Sequence, residues 1–187
     1  MLLLFLTLTC KCNLLLIIGN AGKVLVMCSE WPQRSALMTR VKSILAALPS
    51  RTSYYPGASE RHASFIAAHP DAILVEGMSS SSASPVLPFV IIENVDSSKS
   101  DEMCFLIEPF CPVLSETCLS AKEAGDDVKN SLSSEDVARF ISRAVTFCND
   151  KLFGSLSCNV LISNPQMDPR KDTVTAAAFE DALENLR

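Results

Sequence analysis

The chain has 187 residues, 48% apolar and 20% charged, with a net charge of −5 and a pI near 5.0. That size and balance exclude a disordered polymer and fit one globular domain with a buried core. Basic residues never run to more than two in a row, so an electrostatic nucleic-acid partner is excluded.

Residues 1–22 read as an apolar leader: 2–8 and 14–18 are apolar, and Thr9-Cys10-Lys11-Cys12-Asn13 interrupts them. A membrane span needs ~20 mostly apolar residues, and Lys11 sits at the centre of the candidate, so no span is expected. A secretory signal would want a basic start and a small-residue cleavage site. Here Met1 runs directly into leucines and only Asn20-Ala21-Gly22 resembles such a site, so a start placed inside a longer reading frame is the preferred expectation.

Residues 23–187 alternate between the two hydrophobic periods. A short apolar run predicts a buried strand over 24–27. Leu37, Val41, Leu45 and Leu48 define one face of a helix over 32–48, started at Pro32 and stopped by Pro49. Tyr54-Tyr55-Pro56-Gly57 is a turn expected to cover a sheet edge, and a short helix over 59–69 follows. Residues 79–84 are serine with one alanine, a low-complexity loop, and a strand is predicted over 86–92.

The strongest helix signal covers 135–152, with Ser134 as the expected N-cap and Val137, Phe140, Ile141, Ala144, Val145, Cys148 and Leu152 as its apolar stripe. A strand over 156–162, a turn at Asn164-Pro165 and a last helix over 173–187 complete the reading, with Phe179, Ala182, Leu183 and Leu186 expected to face the core. Strands alternating with helices predict an α/β fold, a mainly parallel sheet with flanking helices.

Eight cysteines without any C-x-x-C predict reduced, buried thiols in a cytoplasmic protein rather than a disulfide framework. The histidines, His62 and His69, share one predicted helix with no third ligand at a usual spacing, so both are expected in solvent and no metal site is expected. The acidic residues Glu123, Asp126 and Asp127 around Gly125 read as a solvated loop.

Glu108-Pro109-Phe110-Cys111-Pro112-Val113, followed by the helix that ends near Asn149 and Gly154, resembles the C-terminal half of an aldehyde dehydrogenase catalytic domain. Trp31-Pro32-Gln33-Arg34 and Tyr54-Tyr55-Pro56-Gly57-Ala58 are similar to a divergent branch of the same family. The resemblance implies a partial aldehyde dehydrogenase catalytic domain, NAD- or NADP-dependent oxidation of an aldehyde substrate, and a homo-oligomer or paralogue as partner. It implies that Glu108 contacts the nicotinamide ribose hydroxyls and Phe110 packs beside the nicotinamide ring; a carboxylate can accept both hydroxyls in charge-assisted bonds.

Cys111 stands where the family has glycine, and its side chain is expected to crowd the nicotinamide. The family's thiolate attacks the aldehyde, hydride passes to the nicotinamide, and the thioester is then hydrolysed. Its position corresponds to Ile18 or Gly19, neither a cysteine; Cys12 would need a register shift, and Cys28 lies past the predicted strand. The catalytic residue is therefore unassigned. The expectation is a fragment inactive alone, without a G-x-G-x-x-G cofactor domain and binding the cofactor weakly. A non-catalytic subunit and a secreted or membrane-tethered domain are the two alternatives.

Overall fold

The computed structural model describes residues 2–5, 22–49, 52–53, 55–78, 86–123, 125, 131–154, 158–163, 166 and 168–187, with 2–5 described as backbone only. The expected loop over 79–84, Tyr54, Asp126, Asp127, Asn164-Pro165, Cys10, Cys12, Ile18 and Gly19 lie outside the described residues.

In chain order the elements are β1 (Leu2–Phe5), β2 (Val24–Cys28), α1 (Arg34–Ala47), α2 (Ala58–Ala68), β3 (Ile73–Val75), β4 (Phe89–Val95), α3 (Met103–Leu106), β5 (Val113–Leu119), α4 (Ser134–Lys151), β6 (Asn159–Ile162) and α5 (Thr173–Asn185). They build an α/β fold, a six-stranded sheet in the order β3-β4-β5-β2-β1-β6 with flanking helices. β4, β5 and β2 are parallel neighbours. β3 joins β4 antiparallel, β1 joins β2 antiparallel, and β6 joins β1 antiparallel.

The sheet is therefore mixed. The predicted strands β2, β4 and β6 do lie in it and point the same way, but no two are neighbours: β5 separates β2 from β4, and β1 separates β2 from β6. β5 escapes the sequence pattern because Ser115, Glu116 and Thr117 occupy its middle, and buried polar residues mimic a loop. The strand predicted over 86–92 begins three residues later, at Phe89, because Pro88 has no N–H for the ladder; Val86 forms only an isolated bridge with Thr52. The strand predicted from 156 begins at Asn159, and 155–157 lie outside the described residues.

All five residues of β2 are buried, as a central strand covered on both faces requires. Leu25, Val26, Met27, Val90 and Ile91 have no exposed surface and form the middle of the core. α1 adds Met38 and Leu45, with Leu37, Val41 and Leu48 packed partly against them. Trp31 is buried at its start, where its carbonyl accepts from the Arg34 N–H at 3.2 Å.

α4 buries the predicted stripe from Val137 to Cys148, with Leu152 only partly buried just past its end, and also buries Phe147, which meets Phe105 of α3 edge-on at 5.1 Å. Its N-cap is Ser133 rather than Ser134. Ser133 Oγ accepts from the Asp136 N–H at 3.1 Å and the Asp136 carboxylate accepts from the Ser133 N–H at 2.9 Å, a reciprocal box available only with an acceptor three residues on. α5 differs from expectation too: Ala182 is buried, but Leu183 is 52% exposed and the other buried positions are Thr175 and Ala176.

One polar contact organises the sheet. Glu116 has no exposed surface, and Arg34 grips both its oxygens, Nε to Oε1 at 3.0 Å and a terminal nitrogen to Oε2 at 2.9 Å. The Asn94 N–H adds 2.9 Å to Oε2, from a left-handed position (φ 58°) where the β4 register shifts. Asparagine tolerates that conformation better than most residues.

Removing one partner of such a pair strands a buried charge, at a cost of ~3 kcal/mol once solvent access to Arg34 is allowed for. Arg34→Met is expected to lower the urea midpoint accordingly, and Arg34→Met with Glu116→Leu to recover at least half of the loss. A single variant as stable as the parent would show that the pair does not hold the sheet.

Candidate functional site

β2 and β5 run parallel, so the segments leading into them meet at one end of the sheet. The Ser115 N–H and Oγ both donate to the Lys23 carbonyl, at 2.9 and 3.0 Å, and fix Lys23 against the start of β5. The loop 107–112 reaches back over it: the Lys23 ammonium pairs with Glu108 Oε1 and lies 5.8 Å from the centre of the Phe110 ring. Gly154, with φ 117°, closes the other side; a Cβ there would lie 3.9 Å from Lys23 Nζ.

Glu108 is therefore half-buried and ion-paired. Its carboxylate makes no other hydrogen bond among the described residues, so Oε2 remains able to accept. Phe110 adopts φ 45°, an outlier for a bulky aromatic that survives only where its surroundings over-determine it. Pro109 and Pro112 are buried on either side. The Tyr55 ring packs on Phe110 at 5.0 Å between centroids, and Arg61 Nε donates to the Pro109 carbonyl at 2.7 Å.

Arg61 also donates to the Pro56 carbonyl at 3.0 Å. It passes over Gly57, whose left-handed φ of 72° begins α2 and where a Cβ would sit 3.0 Å from the guanidinium. The two sequence landmarks, Tyr55-Pro56-Gly57-Ala58 and Glu108-Pro109-Phe110, are thus joined by one ring contact and one guanidinium. Tyr55 covers Phe110 rather than a sheet edge. Cys111 does not crowd the loop surface: it is buried in the core, and the left-handed residue is Phe110, so a side chain at 111 meets no backbone penalty.

Burial lowers the Lys23 ammonium from its ordinary 10.5 to about 8, while the Glu108 carboxylate beside it favours the charged form and works against that shift. Thiol chemistry is poorly provided for. Burial pushes Cys111 up to about 11, against the pull of Arg61, and burial aided by Glu30 pushes Cys28 to about 12. Cys28 is the last residue of β2 rather than beyond it. Cys118 is raised by burial and Glu116, and Cys148 by its hydrogen bond with Cys158, which lowers Cys158 in turn. Cys158 lines a different cavity of about 370 Å³ with Cys148, Leu152, Phe179 and Leu183.

A second cleft of about 400 Å³ lies by the carboxyl ends of β2, β4 and β5, lined by Trp31, Arg34, Lys42, Glu93, Asn94 and Glu116. Its charges are already paired, Arg34 with Glu116 and Lys42 with Glu93 at 3.1 Å. Neither histidine is solvated as expected: His62 is buried with Nε2 2.9 Å from the Pro88 carbonyl, and His69 pairs with Glu102 at 3.0 Å. Glu123 lies exposed in its loop as expected, with Arg139 and Arg143 reaching it at 2.9 and 3.2 Å. Sequence reasoning missed Lys23, Arg61 and Glu102 because their partners lie tens of residues away; no spacing rule marks them.

No family model matches the chain, nor does any curated protein or solved structure.

Because the folded pKa of Lys23 lies below its unfolded value, the unfolded chain binds more protons between about 8 and 10.5 and stability gains a favourable increment as pH rises through that window. Reductive methylation followed by carbon NMR is expected to show one lysine titrating near 8, absent in Lys23→Arg. A full set of lysines titrating near 10.5 would contradict this.

Proposed function

We propose that the loop carrying Glu108 and Phe110 contacts the nicotinamide riboside half of NAD or NADP in an aldehyde dehydrogenase-like oxidoreductase, with an aldehyde as substrate. The observation that carries this reading is the meeting of the two landmark segments through Tyr55–Phe110 and Arg61–Pro109. Motifs scattered by chance have no reason to converge on one loop.

Glu108 would accept ribose hydroxyls through its carboxylate, with the Lys23 ion pair holding it in place. Phe110, fixed by the two prolines and Tyr55, would offer a flat apolar wall to the nicotinamide. The cofactor, when bound, supplies the hydride acceptor. The chain's own described groups bind and orient; their thiols, raised except at Cys158, supply no nucleophile to this loop. A cytoplasmic setting belongs to the proposal because it keeps such thiols reduced; among the described residues no helix is long and apolar enough to cross a membrane.

A second reading, a non-catalytic subunit docking on a paralogue or a second copy, is favoured by the apolar side chains around the loop: Leu106, Ile107 and Phe153 are exposed, and the Phe153 N–H binds the Phe105 carbonyl at 2.7 Å. Apolar surface beside a polar site is a common mark of an interface.

Saturation-transfer NMR with millimolar NAD and NADP is expected to show transfer to ribose and nicotinamide protons, and Glu108→Gln to weaken binding by ~1–3 kcal/mol, the range for a lost charge-assisted bond. A variant that binds the dinucleotides unchanged but melts far lower would make Glu108 a structural partner of Lys23 and overturn the reading.

A further inference from the structure

We propose that His69, Glu102 and Cys104 form a three-ligand site for a zinc ion, completed by a water molecule. The three side chains come from two elements packed together, the C-terminal cap of α2 and the start of α3, and each places one donor atom within 4.8 Å of the other two. His69 Nε2 lies 3.0 Å from Glu102 Oε1 and 3.6 Å from Cys104 Sγ. A tetrahedral zinc with ordinary bond lengths separates a nitrogen ligand from an oxygen by about 3.4 Å and from a sulfur by about 3.6 Å. Insertion of the ion therefore asks for a few tenths of an ångström between the histidine and the carboxylate and nothing between the histidine and the sulfur.

The surroundings are those of a ligand histidine. Nδ1 faces the Phe65 carbonyl at 2.9 Å. A carbonyl only accepts, so Nδ1 carries the proton and Nε2 is the nitrogen turned toward the other two ligands. A backbone carbonyl holding the second ring nitrogen is the usual support of a metal-bound imidazole. The Phe65 ring stacks on the imidazole at 6.5 Å and 16° and fixes its plane, while the Cys104 N–H donates to Glu102 Oε1 at 3.0 Å and orients the carboxylate.

Charge points the same way. A divalent ion would replace the thiol proton and leave a thiolate, a carboxylate and a neutral imidazole around two positive charges, an electroneutral buried site. Sulfur, imidazole and one carboxylate suit zinc better than magnesium or calcium, which prefer oxygen alone. The His69 and Glu102 side chains keep 15% and 9% of their surface, enough for entry and for water in the fourth position. The rival account is a plain His69–Glu102 ion pair beside an inert thiol.

The full-length chain, stripped with chelator, is titrated with Co²⁺ as a spectroscopic substitute for zinc. The expected result is about one equivalent bound with a near-ultraviolet thiolate band and tetrahedral visible bands. Both are retained when Cys10, Cys12 and Cys158 are changed to serine, and the thiolate band is lost in Cys104→Ser. Stoichiometric Zn²⁺ should displace the cobalt and raise the melting temperature of the parent chain. No thiolate band in the parent, a band that survives Cys104→Ser, or a band abolished by the triple serine change would each overturn the proposal, and the parent and triple-variant spectra decide even if Cys104→Ser fails to fold.

Discussion

A carboxylate with no exposed surface in the central strand is the constraint on which this structure turns. Glu116 can be buried only if its charge is met, and Arg34 and the Asn94 N–H meet it. Because side chains alternate along a strand, a slip of one residue in β5 would carry Glu116 to the opposite face and away from α1. The pair therefore fixes the register of β5, and with it the position of every residue that leads into that strand. Lys23 lies against Ser115 and Glu108 against Lys23 because that register is held. The loop is rigid at one end through β5 and at the other through α3.

This dependence also explains what the sequence disclosed. β2, α1 and α4 announce themselves through apolar residues at strand or helix period, since their burial is hydrophobic and local pattern records it. β5 is central but carries Ser115, Glu116 and Thr117, whose burial is justified only by Arg34 and by the Val95 carbonyl that accepts from Thr117 Oγ1 at 2.7 Å. Those partners are remote in sequence, and a pattern reading has no access to them. The antiparallel strands that turn a parallel sheet into a mixed one are short, three residues in β3 and four in β1, too few to establish a period.

The candidate site divides in the same way. Glu108 and Phe110 stand out in the sequence because they sit in one contiguous motif with prolines beside them. Lys23, Tyr55 and Arg61 join them only through folding, and Lys23 in particular makes the Glu108 carboxylate one half of an ion pair. At the departure from the family pattern the unusual backbone angle belongs to Phe110, and the Cys111 side chain fills core. His69, Glu102 and Cys104 show the limit most sharply, since two ligands lie 33 and 35 residues from the first and no metal-site spacing links them.

The loop 107–112 and the polar cleft by Arg34 and Glu116 lie at opposite ends of the parallel strands, and open α/β sheets commonly bind ligands at the carboxyl end. The proposed dinucleotide site is at the other end, against Glu108 and Phe110. Titrating NAD into the nitrogen-15-labelled chain while following backbone amide shifts tests this most directly. The account predicts changes concentrated at Lys23, Tyr55, Glu108, Phe110 and Gly154; changes centred instead on Arg34, Asn94 and Glu116, or none at all at millimolar cofactor, would contradict it.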